Sequence, residues 1–453
     1  MRSSESKSPA MKETIRTVLT GPIATKATGT LVLKAGNSGI LFFTSIVLAR
    51  AAGADGLGAF SYALSWVNVL CIVATCGLDR ILSRDIAIAV ESGRSSIIRS
   101  LLFAARRISL GISLILMFVV FGIVRAVGLG IDASLSSSLI LAMPLVPMMA
   151  IILIHEGYLR GLHKIVRGQL PQLILRPGVF LFLLLIWIVF NGRELDGRGA
   201  VVLNMVATTV ALGASVFLTI RWMPVRATNE RQVLRPKKLL SSSSPFLFIA
   251  VMQVVSANIG ILMAGSLLGS TETGIFTVAL RLSQFISLAL FAVNMPLGPQ
   301  IAARYAKADI RGLQRIVTKG SWAVLAGALA VTVLFLAGGT QILSLFGEGF
   351  VQGRRVLIIL TLGQFINAAA GSVGLILIMT GNEKLVMKAH SISTVILVVL
   401  TPGFIQIWGV IGAAVASTIS FLVWNGFLTA HVFRRVGVHS SILCIYWRKI
   451  RIR

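Results

Sequence analysis

Three cations stand inside long apolar runs of this chain: Lys34, Arg176 and Arg281. A charge within a bilayer costs about 3 kcal/mol on insertion scales, and it normally faces protein or a water-filled cavity. No Asp or Glu lies well inside any apolar run. All 15 acids fall at run ends, in loops or in the N-terminal arm. Three cations without an intramembrane acid would make a cavity electropositive. The natural complement is an anion, which a guanidinium can grip bidentately. Each residue also has a purely structural reading. Lys34 is close to a run end and could snorkel to the surface. Arg176 precedes Pro177 and could bond backbone carbonyls that the proline frees. Arg281 lies between Leu280 and Leu282 with Gln284 one turn on, and for it the cavity role is preferred.

Other chemistry is sparse. Asp79, Arg80, Arg84 and Asp85 sit together at one run end, and Glu156 and Arg160 at another. Both groups read as ion-pair networks, with a proton-coupling role for Glu156 beside His155 as the alternative. The five histidines show no metal spacing, because His155-Glu156 lacks a second histidine four positions on. There is no Gly-rich phosphate loop after a strand and no nucleophile elbow. Cys71, Cys76 and Cys444 cannot form a disulfide framework, and the first two are expected to pack within one span. No metal, cofactor or enzymatic centre is expected.

The elements that must position these residues follow from composition. The chain has 453 residues, 56% of them hydrophobic and 13% charged, with a mean hydropathy of +0.90. Soluble domains carry about 25% charged residues, so a water-soluble globule is excluded. Apolar runs of spanning length begin near Thr30, Leu57, Ile108, Leu135, Leu170 and Gly199, and again near Pro245, Gly274, Ser321, Arg355, Ala389 and Trp408. The runs are continuous rather than alternating, so they predict about twelve transmembrane helices and an all-α polytopic protein.

Of the 42 Lys and Arg, 33 fall on one face, hereafter the basic face, and six on the other. The sparse face also holds six acids and is neutral. The positive-inside rule makes the basic face cytoplasmic, with both termini inside. The net charge of +27 is then topology plus contact with anionic lipids, and no nucleic-acid partner is expected. The polar first residues lead directly into a full-length span, so no cleaved signal peptide is read.

The two halves resemble each other. Gly53-Ala-Asp-Gly-Leu-Gly58-Ala-Phe60 matches Gly269-Ser-Thr-Glu-Thr-Gly274-Ile-Phe276 at a constant offset, and Arg160-Gly161-Leu-His-Lys164 parallels Thr380-Gly381-Asn-Glu-Lys384. Six spans per half give both halves the same orientation. The expected fold is therefore two six-helix bundles related by a pseudo-two-fold axis along the membrane normal. The expected division is an arm over 1–29, a bundle over 30–221, a flexible basic linker over 222–244, a bundle over 245–433 and a basic interfacial tail over 434–453.

Leu48-Ala49-Arg50-Ala-Ala-Gly53-Ala-Asp-Gly-Leu-Gly58 resembles the first outer turn of polysaccharide-export flippases, in the multidrug/oligosaccharidyl-lipid/polysaccharide exporter superfamily. Gly77-Leu-Asp79-Arg80, Tyr158-Leu-Arg160-Gly161 and Arg176-Pro177 are similar in the same order. The resemblance implies a MATE-like fold and a bacterial inner-membrane transporter. It implies flipping of a polyprenyl-pyrophosphate-linked oligosaccharide outward by alternating access, in concert with a polymerase and a chain-length regulator. Arg50, Gly53 and Gly58 would then form an outer turn or gate. Drug-exporting relatives carry acids within the first bundle, and this chain departs from them there. A cation or drug antiporter and a peptidoglycan-precursor flippase remain alternatives. A membrane polymerase is disfavoured by the short neutral-face loops.

Overall fold

A computed structural model describes residues 22–93, 95–126, 132–192, 195–223 and 236–440. The described chain is helical, as apolar segments in lipid must be when every backbone group finds its partner internally. The first half comprises α1 (Pro22–Thr75), α2 (Leu78–Glu91), α3 (Ser95–Ala126), α4 (Ala133–Ala142), α5 (Leu145–Gly161), α6 (Ile165–Leu170), a π segment (Pro171–Leu175), α7 (Arg176–Asn191) and α8 (Gly197–Arg221). The second comprises α9 (Pro236–Leu268), α10 (Ser270–Ser283), α11 (Phe285–Ala306), α12 (Ile310–Ser344), a 3₁₀ turn (Glu348–Gly353), α13 (Arg354–Ala369), α14 (Val373–Met379), α15 (Glu383–Trp408) and α16 (Val410–Val436).

Ten described helical stretches are long and apolar enough to cross a membrane, and α4 with α5, bent by 45°, makes an eleventh. α1 is itself two crossings. Its 54 residues would reach roughly 80 Å as one helix, against a hydrocarbon core of about 30 Å. It folds back at Gly53, whose φ of 66° and ψ of −171° are non-helical. The total is the expected twelve.

The repeat is visible in the backbone. Gly53 pairs with Gly269, which has φ 92° and ψ −176°. Gly192 (φ 74°, ψ −157°) answers Gly409 (φ 58°, ψ −141°) in the same way. These left-handed conformations favour glycine, which is why the glycine pattern survives in both halves.

Three expectations need correction. The stretch between the second crossing and the run that begins near Ile108 is helical rather than a loop. α2 buries Leu78, Ile81, Leu82, Ile86 and Ala89 at helical spacing, and α3 begins at Ser95. Charges on the outward side of α2 disguise it among polar residues. The expected flexible linker is helical over its second part, because α9 starts at Pro236 and runs through Ser241–Ser244. Proline is pre-set for the first helical turn. Cys76 also lies just past the end of α1, in a turn, rather than within the span. The arm up to residue 21, the linker over 224–235 and the tail from 441 lie outside the described residues.

Candidate functional site

The halves meet chiefly where α1 packs on α9 and α10, and at the neutral face the approach is backbone to backbone. A Cβ on Gly58 would fall 1.8 Å from the carbonyl oxygen of Ser270, and one on Gly274 would fall 2.0 Å from that of Ala54. The contact is reciprocal. Residue 58 meets 270 and its repeat equivalent 274 meets 54, the signature of a local two-fold axis. Gly265 lies under the Tyr62 ring, and the Tyr62 hydroxyl is 3.1 Å from Ser266 Oγ.

Charged side chains bolt this closure. Arg50 Nε donates to the Leu345 carbonyl at 2.7 Å. Ser270 Oγ lies within hydrogen-bond reach of both Asp55 and Asp132, at 2.6 Å from the latter. The bond from Ser270 holds the Asp132 carboxyl below the usual carboxylate range. Of the three residues expected as an outer turn or gate, Arg50 and Gly58 reach the second half directly, and Gly53 forms the turn between them.

Beneath it lie two adjoining cavities. One, of about 190 Å³, is lined by Asn37, Thr44, Gln172, Arg176, Asn204 and Arg281 among others. The second, of about 210 Å³, lies between the first arm of α1 and α10–α11 and is lined by Ser38, Ser45, Arg281, Gln284 and Phe285 with their neighbours. Arg281 borders both, and its Nη1 donates to Ser45 Oγ across the boundary between the halves. No Asp or Glu lines either cavity, and among the described residues neither arginine is in an ion pair. Gln172 and Asn204 line the first of these cavities, and Gln172 Oε1 and Asn204 Nδ2 are buried without a partner; a rearrangement that turned them to a hydroxyl-rich ligand or water would satisfy them.

Both arginines stand at helix irregularities. Arg176 follows the π segment directly, and Arg281 lies in the last turn of α10, just before the break at Gln284. Such breaks are tolerated at membrane depth where they line a cavity, and π segments recur at functional sites. Lys34 is not brought to either cavity. It is exposed nearer the basic face, with Nζ 5.4 Å from the Phe291 ring centroid.

At the basic face the two expected ion-pair groups form one network. Arg160 donates to Glu156, and both Arg80 and Arg160 act electrostatically on Asp79. Burial nonetheless pushes the Asp79 carboxyl up. Gly157 permits this closeness, since a Cβ there would lie 2.3 Å from the Asp79 carbonyl oxygen. Arg84 pairs with Asp85 at 2.7 Å. Sequence reasoning missed a neighbouring set: Arg106 Nε donates to His155 Nε2 at 2.8 Å, and His155 Nδ1 bonds Ser215 Oγ at 2.9 Å. The missed signal was the apolar spacing ahead of Ile108, which already belongs to α3. A separate hollow of about 450 Å³ at the neutral face, near Glu272, Arg354 and Arg355, belongs to the second half alone.

The description "Polysaccharide biosynthesis protein" matches residues 23–304, more than half the chain. The chain belongs to the polysaccharide biosynthesis protein family. The MatE family description also matches residues 245–402. The chain is 25% identical over 400 residues to the probable low-salt glycan biosynthesis flippase Agl15 of Haloferax volcanii, covering 87% of this chain and 80% of that one. Among solved structures it is similar to an inward-facing multidrug resistance MATE family transporter of the MOP superfamily. That match has a TM-score of 0.68 and 16% identity, and covers 86% of this chain and 93% of the other. It is also similar to the lipid II flippase MurJ in an inward closed conformation, with a TM-score of 0.62, 15% identity, and 90% and 87% of the two chains covered. The fold of this family member is thus that of the MOP exporters. It is a multi-pass membrane transporter of flippase type.

Proposed function

We propose that the chain carries a polyprenyl-pyrophosphate-linked oligosaccharide from the basic-face leaflet to the neutral-face leaflet by alternating access, with the basic face cytoplasmic in a bacterial inner membrane and the two six-helix halves rocking against each other. The observation that carries this reading is the pair Arg176 and Arg281. They share one cavity between the halves with no acid on its walls. A diphosphate supplies the two negative charges that such a cavity lacks, and the partnerless Gln172 and Asn204 groups suit sugar hydroxyls. The neutral face is closed by the Gly58–Ser270 and Gly274–Ala54 contacts, so a substrate enters from the basic side. The Agl15 relative is named a glycan biosynthesis flippase, which supports a lipid-linked glycan as cargo. A polymerase and a chain-length regulator would take up the flipped glycan on the far side.

The test is a flipping assay in proteoliposomes with a polyprenyl-pyrophosphate oligosaccharide. Hydrogen bonds to charged groups contribute about 1.5–3 kcal/mol, so Arg281→Ala is expected to slow flipping roughly 10- to 100-fold. Arg281→Lys is expected to retain part of the rate. Wild-type protein that moves no lipid-linked sugar, but exchanges organic cations for protons, would return the chain to the antiporter class.

A further inference from the structure

Three cations gather on one aromatic ring at the end of α8. Lys164 Nζ lies 4.3 Å from the centroid of the Trp222 ring, and the guanidinium carbons of Arg167 and Arg221 lie 4.7 and 5.7 Å from it. They come from two separate places in the chain: Lys164 and Arg167 from the cap and body of the short α6, and Arg221 from the last residue of α8. Among the described residues none of the three is in an ion pair. The residue is held in place, since its backbone N–H bonds the Leu218 carbonyl at 3.2 Å and the ring packs on the apolar cluster of α2, α3 and α5.

An indole face attracts cations, but three gathered on one ring repel one another. That repulsion falls when an anion with several acceptor oxygens sits among them. Two of the three are guanidinium groups, the donors that match phosphate geometry. The surroundings decide what carries the phosphate. α8 exposes an apolar stripe ending in Val210, Phe217 and Ile220, the last two about two-thirds exposed (66% and 64%). A spanning helix turns such a stripe towards lipid, and the stripe runs up to the seat. An amphiphile with its chain along Phe217 and Ile220 would place its headgroup at Trp222.

We infer that Lys164, Arg167 and Arg221, gathered on Trp222, form a seat for the phosphate of an anionic lipid of the basic-face leaflet. The site is separate from the Arg176–Arg281 cavity and does not depend on what that cavity carries. Bound lipid would tie the end of α8 to the α5–α6 turn from which the Gln172–Arg176 segment continues.

Trp222 provides its own reporter. The full chain is reconstituted in nanodiscs containing brominated phosphatidylglycerol or brominated phosphatidylcholine. The quenching lost in Trp222→Phe isolates the signal of this ring. Juxtamembrane cations each strengthen binding of anionic lipid about fivefold. The acidic lipid is therefore expected to quench at a mole fraction lower by about tenfold or more than the zwitterionic one. Arg167→Gln with Arg221→Gln should abolish that preference, and Arg167→Lys with Arg221→Lys should keep most of it. Lys388→Gln with Arg434→Gln removes the same charge elsewhere and should leave the preference intact, with size-exclusion profiles confirming folding throughout. Equal quenching by the two lipids overturns the site, and so does an equal loss in the control pair. Displacement by millimolar inorganic pyrophosphate assigns the seat to a diphosphate instead of a membrane lipid and overturns the inference as stated.

Discussion

Ser270 has one hydroxyl proton and two carboxylates within reach, Asp55 and Asp132. Both acids belong to the first half and the serine to the second, so the state of these carboxyls bears on whether the halves stay joined at the neutral face. The Asp132 carboxyl is held below its usual value of 3.8, first by the Ser270 bond. A carboxylate with a depressed value contributes stability above its ordinary pKa, and the contribution is lost as pH falls through the depressed one. Acidification below about pH 4 is therefore expected to loosen the closure, whereas neutral to alkaline pH leaves it intact. Spin labels at Ala133→Cys and Thr271→Cys in a cysteine-free background would show a growing long-distance population at acid pH. Asp132→Asn should show that population already at neutral pH, with a weaker acid response. The lone cations Arg176 and Arg281 were legible in the sequence because a charge in an apolar run has no ordinary explanation. The Asp55–Asp132–Ser270 junction was not, because acids at the ends of spans look like solvated caps until folding brings residue 270 beside residues 55 and 132.

The helices deliver those residues through their irregularities. The Gly58 and Gly274 contacts leave no room for a side chain, and overpacking at such a crossing costs about 1–3 kcal/mol or more. Gly58→Leu is expected to drive the neutral-face turn of α1 and the start of α10 apart. The same pair of labels would then report an open population, and the transport rate would fall. Substitution at Gly178, where a Cβ meets nothing within 4 Å, should leave the label distances unchanged. The π segment works in the other direction, by setting rotation. Deleting Leu173 would restore an α-helical count across Pro171–Leu175 and turn the preceding part of the helix by about 100° relative to Arg176. Flipping should drop about as far as in Arg281→Ala while the protein stays folded, judged by thermal unfolding. The sequence showed the spans. It did not show the π segment, since an extra residue per turn has no composition of its own. Nor did it show α2, whose half-polar face lacks the continuous apolar run that identified the other helices.

At the scale of the whole molecule, two like-oriented halves touch at the neutral face and enclose a cavity with cations and no acid. This arrangement bears on the energy source. Ion-coupled transport needs a group that binds the ion within the moving cleft, and among the residues lining these two cavities no carboxylate is available to do so. A diphosphate cargo brings its own charge. Moving one charge through the membrane potential is worth about 2.3 kcal/mol per 100 mV, so two negative charges leaving an inside-negative cell release about 5 kcal/mol per 100 mV if the protein's own charges stay still. On the proposed function, Arg176 and Arg281 would neutralise the diphosphate in the cleft and release it when the halves separate. The expected outcome is that a potassium diffusion potential, negative on the basic side, accelerates flipping in proteoliposomes. A pH gradient imposed at clamped zero potential should have little effect. Accumulation of flipped lipid driven by the pH gradient alone would place a titrating group in the transport cycle. Glu156, buried beside Arg160 in the basic-face network, would then be the residue to substitute next.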